Sequence, residues 1–251
     1  MKKIYIMYSI LVVVLISCKE TTPNTPEALQ TNENSATAAP SEKLVKADIT
    51  ACRERESVVW EGENFVSYTE DRMRGKGVIS FTMDINDRLD ILNDDDSNFG
   101  EIVLNEDLTF FTLTMPKKVI ARKVIMTYDF AAFDFDSENV DTNQDYFIIY
   151  VNKEKRKVKK EGLKYAFSTW EQYIKKQSVR LKDCNLIADQ QGNVNQKSKD
   201  QVFTVTEVKG DEIKITSSKD CLEEDKSFHA VNGILKWKSA NVLLIDFAVC
   251  N

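Results

Sequence analysis

The chain has a single imidazole, His229 in SFHAVNG. Cys–His hydrolases, serine triads and most zinc hydrolases need a histidine beside a nucleophile or a metal, and the one pair the spacing offers is Cys221 with His229. That pair falls in a predicted surface loop, without the strand and helix that flank such a nucleophile. His229 therefore reads as a solvated loop residue. Acidic spacing supplies a second candidate chemistry. Asp94, Asp96 and Asn98 alternate as the oxygen ligands of a Ca²⁺ loop do, but Gly100 comes one place late for the loop's turn and Asn105 stands where a bidentate Glu belongs. Asp134, Asp136 and Glu138 repeat the spacing with no glycine. Both groups are expected to be ordinary acidic turns, with the Asp94–Asn98 loop exposed and available for binding. Two carboxylates ~5 or ~9 Å apart would suit glycoside hydrolysis, yet nothing in the sequence singles out such a pair. Phosphate-cradling fingerprints, the P-loop and GxGxxG, are absent. The expectation is a protein without catalytic, metal or cofactor residues.

The chain opens MKKIYIMYSILVVVLISCKE. Lys2 and Lys3 precede an apolar run from Ile4 to Ile16 that is too short for a ~30 Å hydrocarbon core, which takes about 20 helical residues. A basic start followed by a short apolar run is the pattern of a secretory signal. The run ends in Leu15-Ile16-Ser17-Cys18, which resembles the lipobox of bacterial lipoproteins: branched apolar residues, a small residue, then the cysteine that receives the lipid and becomes the first residue after cleavage. The resemblance implies a leader over 1–17, a lipidated Cys18 and export. Acyl chains contributing about 0.8 kcal/mol per buried methylene would then hold the protein at a bilayer. Lys19-Glu20 faintly resembles the charged export signals of Bacteroidetes surface lipoproteins. The implied location is the cell envelope, with the outer membrane the expected holder, on its periplasmic or surface face.

From 18 to 47 the chain is rich in Thr, Asn, Ala and Glu and holds three of its four prolines. Such a segment cannot bury enough apolar surface to fold and reads as a tether, with a reach of about 30 Å as a flexible coil. The net charge of −6 becomes −8 when Lys2 and Lys3 leave with the leader. An acidic protein is a poor nucleic-acid binder, because that binding depends on cationic patches displacing counterions. The one conspicuous basic run, KEKRKVKK from Lys153 to Lys160, is expected to be the solvated face and turn of a strand that keeps a sheet edge soluble. Four cysteines follow Cys18: Cys52, Cys184, Cys221 and Cys250. An exported chain permits two disulfides among them, in any of three connectivities, or free thiols. Metal ranks below disulfide, since no two form a CxxC pair.

With 251 residues and 42% hydrophobic content, the chain can bury one sizeable core or two small ones. Runs of β-branched and aromatic residues recur from Val58 onward: VVW, NFVSY, GVISFTM, LTFFTLT, VIARKVIMTYDF and DYFIIYV. Turn clusters such as EGEN, RMRGKG and LNDDDSNFG separate them, which predicts an all-β region over 48–177. One short helix interrupts it. Ser168 or Thr169 followed three residues later by Glu171 or Gln172 makes a capping box, and Trp170, Tyr173 and Ile174 share one face, expected to be core or a joint between domains.

Residues 178–251 alternate clearly. VRLKDCNLIADQQG predicts a strand and a long polar loop reaching Lys199, QVFTVTEVKGDEIKIT a hairpin turning at Lys209-Gly210-Asp211, and GILKWKSANVLLIDF two more strands. This order resembles bacterial SH3-like (SH3b) domains, on Val205 to Ile215 for the central hairpin and Gly233 to Trp237 for the next strand. The resemblance implies a small β-barrel that binds cell-wall peptides or other proteins. Trp237 is a surface candidate only if it is not core, and its alternation with lysines favours an inward position.

The expected protein is mainly β and non-enzymatic, anchored to the membrane by its N-terminal lipid, with a peptidoglycan or protein ligand and no nucleic acid. A periplasmic immunity or inhibitor lipoprotein acting on a toxin or lytic enzyme is the second expectation. A hydrolase with an unrecognised carboxylate site is the third.

Overall fold

The computed structural model describes residues 52–62, 66–105, 110–112, 118–127, 130–188, 193–219 and 228–248. Cys18, the tether, Cys221 and Cys250 lie outside the described residues. Within them the chain is mainly β, with nineteen short strands and one α-helix. Numbered along the chain, the largest sheet runs in the order β12 (Lys164–Thr169), β3 (Gly77–Asp84), β9 (Phe130–Ser137), β10 (Tyr146–Val151), β11 (Glu154–Lys159), β4 (Arg88–Leu92), β5 (Asn98–Leu104) and β6 (Phe110–Thr112). Strand β8 (Lys123–Met126) also pairs with β9. A small sheet holds β1 (Glu56–Glu61), β2 (Val66–Glu70) and β7 (Lys118–Ile120), with β2 and β7 parallel.

Side-chain alternation explains how these strands close over a core. Ile79, Phe81 and Met83 of β3, Phe133 and Phe135 of β9, and Phe147, Ile149 and Val151 of β10 fall at every second position and enter one cluster. The Phe81 ring stands 5.8 Å from Phe147 and 6.4 Å from Phe135, tilted in each case, an arrangement that suits the aromatic quadrupoles. Val119 of the small sheet joins the same cluster.

The basic run KEKRKVKK does form a turn and a strand. Asn152 and Lys153 both have positive φ, as a two-residue type I′ hairpin loop requires. It is not an edge, however. Strand β11 lies between β10 and β4, so the run's charges cap an interior strand rather than protecting an unpaired one. Val158 alone turns into the core.

Helix α1 (Trp170–Lys175) begins with the expected capping box: Gln172 N–H donates to Thr169 Oγ1, and Thr169 N–H donates to Gln172 Oε1 at 3.0 Å. Replacing Thr169 by Ala should cost about 1 kcal/mol, read as a shift of the urea midpoint without a change of slope. No shift would show that tertiary packing alone holds the helix.

Beyond the helix, β16 (Asn232–Lys236), β15 (Glu212–Ser217), β14 (Phe203–Lys209), β13 (Ser178–Leu181) and β19 (Ile245–Phe247) form an antiparallel sheet in that order, with β17 (Lys238–Ser239) and β18 (Val242–Leu243) as a separate pair. Lys209 pairs with Glu212 across Gly210 and Asp211, and Gly210 has φ +56°. No pairing among the described residues joins β16 to β19, as closure into the expected barrel requires. A second core gathers Phe203, Val205, Ile213, Ile215, Leu235, Trp237 and Ile245. Met73 and Ile174, from outside that sheet, complete it. All described residues belong to one compact unit.

Candidate functional site

Strand β9 reads Phe133-Asp134-Phe135-Asp136, and its alternation decides two environments at once. The phenylalanines enter the first core; the aspartates point the other way and are buried there. This corrects the acidic-turn expectation for Asp134 and Asp136, which a strand carries. Buried carboxylates must find donors or lose their charge, and each has found one. Asp136 takes Arg122 Nε and, at 2.7 Å, Nη2, and it accepts Arg74 N–H at 2.7 Å. Asp134 accepts the Tyr173 hydroxyl at 2.8 Å, and burial pushes its carboxyl above the ordinary range. Glu138, farther along, accepts Tyr150 OH at 2.7 Å and pairs with Lys155 at 3.0 Å, and these hold its pKa down.

Asparagine at 134 keeps the acceptor for Tyr173 and removes a desolvated charge. Near neutral pH, Asp134→Asn should match or exceed the parent by up to about 1 kcal/mol. A folded-state carboxyl pKa above the unfolded one stabilises below the unfolded value, and the benefit is lost as pH rises through the folded value. The variant's advantage should therefore shrink as pH falls toward about 4, in urea unfolding at both pH values.

Arg122 does more than neutralise Asp136. Its Nη1 and Nη2 donate to the backbone carbonyls of Glu70 and Arg72, and its guanidinium lies 5.1 Å from the Trp170 ring centroid. It thereby clamps the segment from Asp71 to Lys76, which connects β2 to β3. The same segment is sewn to the β17–β18 hairpin: Met73 N–H donates to Asn241 O at 2.7 Å, and Leu243 N–H to Asp71 O at 2.8 Å. Buried Lys182 pairs with Asp71 and donates to Leu243 O, both at 2.7 Å; burial lowers its pKa while Asp71 opposes the shift. Arg55 grips Asp246 with two contacts of 2.7 Å. Cys52 is bonded to Cys184, one of the pairings that the sequence left open. Gly75 is required here, since it has φ +64° and a Cβ would come within 2.2 Å of Ser137 O.

Above this clamp opens a cleft of about 700 Å³, lined by Arg72, Arg74, Lys76, Tyr150, Trp170 and Lys238, with Glu171 its one carboxylate. The volume lies within the ~300–1,000 Å³ typical of small-molecule sites. The cleft's walls come from both ends of the chain: the β2–β3 segment, β10, the start of α1, and the β17–β18 hairpin.

No protein-family model matches the chain, and no curated protein or solved structure matches it at a significant level. The site must therefore be read from its own residues. Of the candidate binding residues read from sequence, Asp94, Asp96, Asn98 and Trp237, none lines this cleft, whereas Trp170, expected to be core or a joint, does. Trp237 is fully buried and its indole N–H donates to Gly210 O at 2.9 Å, which removes it from any surface role and agrees with its alternation. Asp94 and Asp96 are exposed in the β4–β5 connection, and exposed Asn98 opens β5, paired with Leu92. In that connection Asp95 organises the turn by accepting Ser97 N–H at 3.0 Å and the Ser97 hydroxyl; these bonds lower its pKa. Asp96 pairs with Lys157 at 3.1 Å. The loop Ala188 to Lys199, described at 188 and from 193, closes with an Ala188–Val194 bridge and a 3-10 turn at Gln196–Ser198.

The cleft's cations were legible only as a turn cluster. In RMRGKG, Arg72, Arg74 and Lys76 fall at every second position around Met73 and Gly75. That extended alternation, with Met73 buried in the second core, was the available signal.

Proposed function

We propose that this chain is a lipid-anchored protein of a bacterial cell envelope that holds a β-rich body, with an SH3-like C-terminal part, against a cell-wall or protein ligand without catalysing a reaction. The observation that carries the reading is the cleft. Its lining offers guanidinium and ammonium groups, two aromatic rings and an Asn241 amide, groups that hold and orient a ligand. The buried carboxylates beneath it are committed to Arg122 and Tyr173. The leader, Cys18 and the proline-bearing tether support presentation at a membrane.

The second reading, an immunity or inhibitor lipoprotein, is favoured by the net charge of −6, since an acidic surface steers association with a basic target. Expression of the full chain in bacteria fed an alkyne fatty acid tests the anchor. The parent should carry the label and fractionate with membranes, and Cys18→Ala should lose both. A chain that stays unlabelled and soluble would sink the envelope reading.

A further inference from the structure

We propose that the basic cleft between the β2–β3 segment and the β17–β18 hairpin binds a short acidic peptide, one presenting at least two free carboxylates. The inference rests on the binding reading above and names the chemistry of its ligand. Four cations, Arg72, Arg74, Lys76 and Lys238, converge on the cleft against the single carboxylate of Glu171, in a chain whose net charge is negative. Gathering like charges at one place is unfavourable unless an anion offsets it.

The partners these cations already hold point to the ligand. Arg72 takes Glu54 through Nε at 3.2 Å and Nη2 at 2.5 Å, Arg74 takes Glu70, and Lys238 takes Asp211 at 3.1 Å. Each of these three cations has a carboxylate partner, and none of those carboxylates lines the cleft. The Glu54 pair is exposed and the Asp211 pair joins half-buried Lys238 to an exposed carboxylate, so each is worth about 1 kcal/mol or less and yields readily to a better-placed carboxylate. Arg72 and Arg74 present planar forks that suit bidentate carboxylate recognition. Between the charges stand Tyr150 and half-buried Trp170, surfaces against which the peptide's planar amides pack. The Trp170 indole N–H is buried without an acceptor, so beside the cleft the unmet hydrogen-bonding capacity is that of a donor.

The rigidity beneath is equally specific. Arg122 fixes the Glu70 and Arg72 carbonyls, and Asp136 fixes the Arg74 amide. The segment bearing three of the four cations is thus pre-ordered, which lowers the entropic cost of binding.

Titration of an uncapped triglutamate peptide into the full chain in detergent, followed by calorimetry, tests the assignment. Saturable binding at one peptide per chain is expected. Lys76→Glu combined with Lys238→Glu should weaken it by at least roughly tenfold, and raising salt from about 0.05 to about 0.5 M should weaken it further. Lys76→Gln, a milder change at an exposed position, should give a smaller loss in the same direction, and circular dichroism verifies that both variants are folded. Asp94→Asn with Asp96→Asn, in the β4–β5 connection, should leave binding unchanged. Absence of saturable binding, binding indifferent to the charge reversals, or equal binding of inorganic phosphate would each overturn the proposal. A chain that is lipidated and wall-bound but blind to the peptide overturns the cleft assignment alone and leaves the binding reading standing.

Discussion

Arg122→Met should destabilise the protein by about 3–5 kcal/mol, the cost of removing one partner from a buried ion pair. The Arg122 side chain is 1% exposed and that of Asp136 is 6%, so the orphaned carboxylate cannot recruit bulk water. It would keep only the Arg74 N–H, while the Glu70 and Arg72 carbonyls would lose their guanidinium donors. Methionine fills the stem volume but donates nothing. Replacing both partners, Arg122→Met with Asp136→Leu, removes the uncompensated charge and should restore part of the loss. Equilibrium urea unfolding of the three proteins reads both effects. A single-variant loss under about 1 kcal/mol would mean that the pair is not what holds the β2–β3 segment. The same substitution should weaken acidic-peptide binding, because the cations of that segment would no longer be held in place.

Removing the Cys52–Cys184 bridge carries the second large effect. The two cysteines are 132 residues apart, so the bridge ties the strand-leading segment before β1 to the 3-10 turn that follows β13. Closing so long a loop restricts the unfolded chain strongly, and a loss of about 3–4 kcal/mol is expected from Cys52→Ala with Cys184→Ala. For a unit of this size that is a fall in Tm of roughly 10 °C, measured by calorimetry with and without reductant. The fold itself should survive, since Arg55–Asp246 still ties the segment before β1 to β19 and Lys182–Asp71 still ties the residue before the 3-10 turn to the β2–β3 segment. A double variant with an unchanged Tm would show that the unfolded ensemble is already restricted there.

What the sequence made legible was local. The Thr169–Gln172 capping box, the Gly210 turn and the inward position of Trp237 follow from spacing and alternation within a few residues. What it hid was pairing at a distance. KEKRKVKK looks like an edge because nothing local tells that β4 will lie against β11 from more than sixty residues away. The aspartates of β9 look like a turn because nothing local announces their partners, Arg122 for Asp136 and Tyr173 for Asp134. Cys52 finds Cys184 across 132 residues, where sequence allowed three connectivities. The cleft is the extreme case, since its lining comes from four separated segments and no one of them carries a recognisable fingerprint.

Co-sedimentation of the detergent-solubilised full chain with purified peptidoglycan, across a range of protein concentrations, tests the binding role most directly. Saturable pelleting that Lys76→Glu with Lys238→Glu diminishes is the expected result. A chain that stays in the supernatant at every concentration, while retaining one envelope protein in equimolar amount, would contradict the wall-binding role and leave the inhibitor reading in its place.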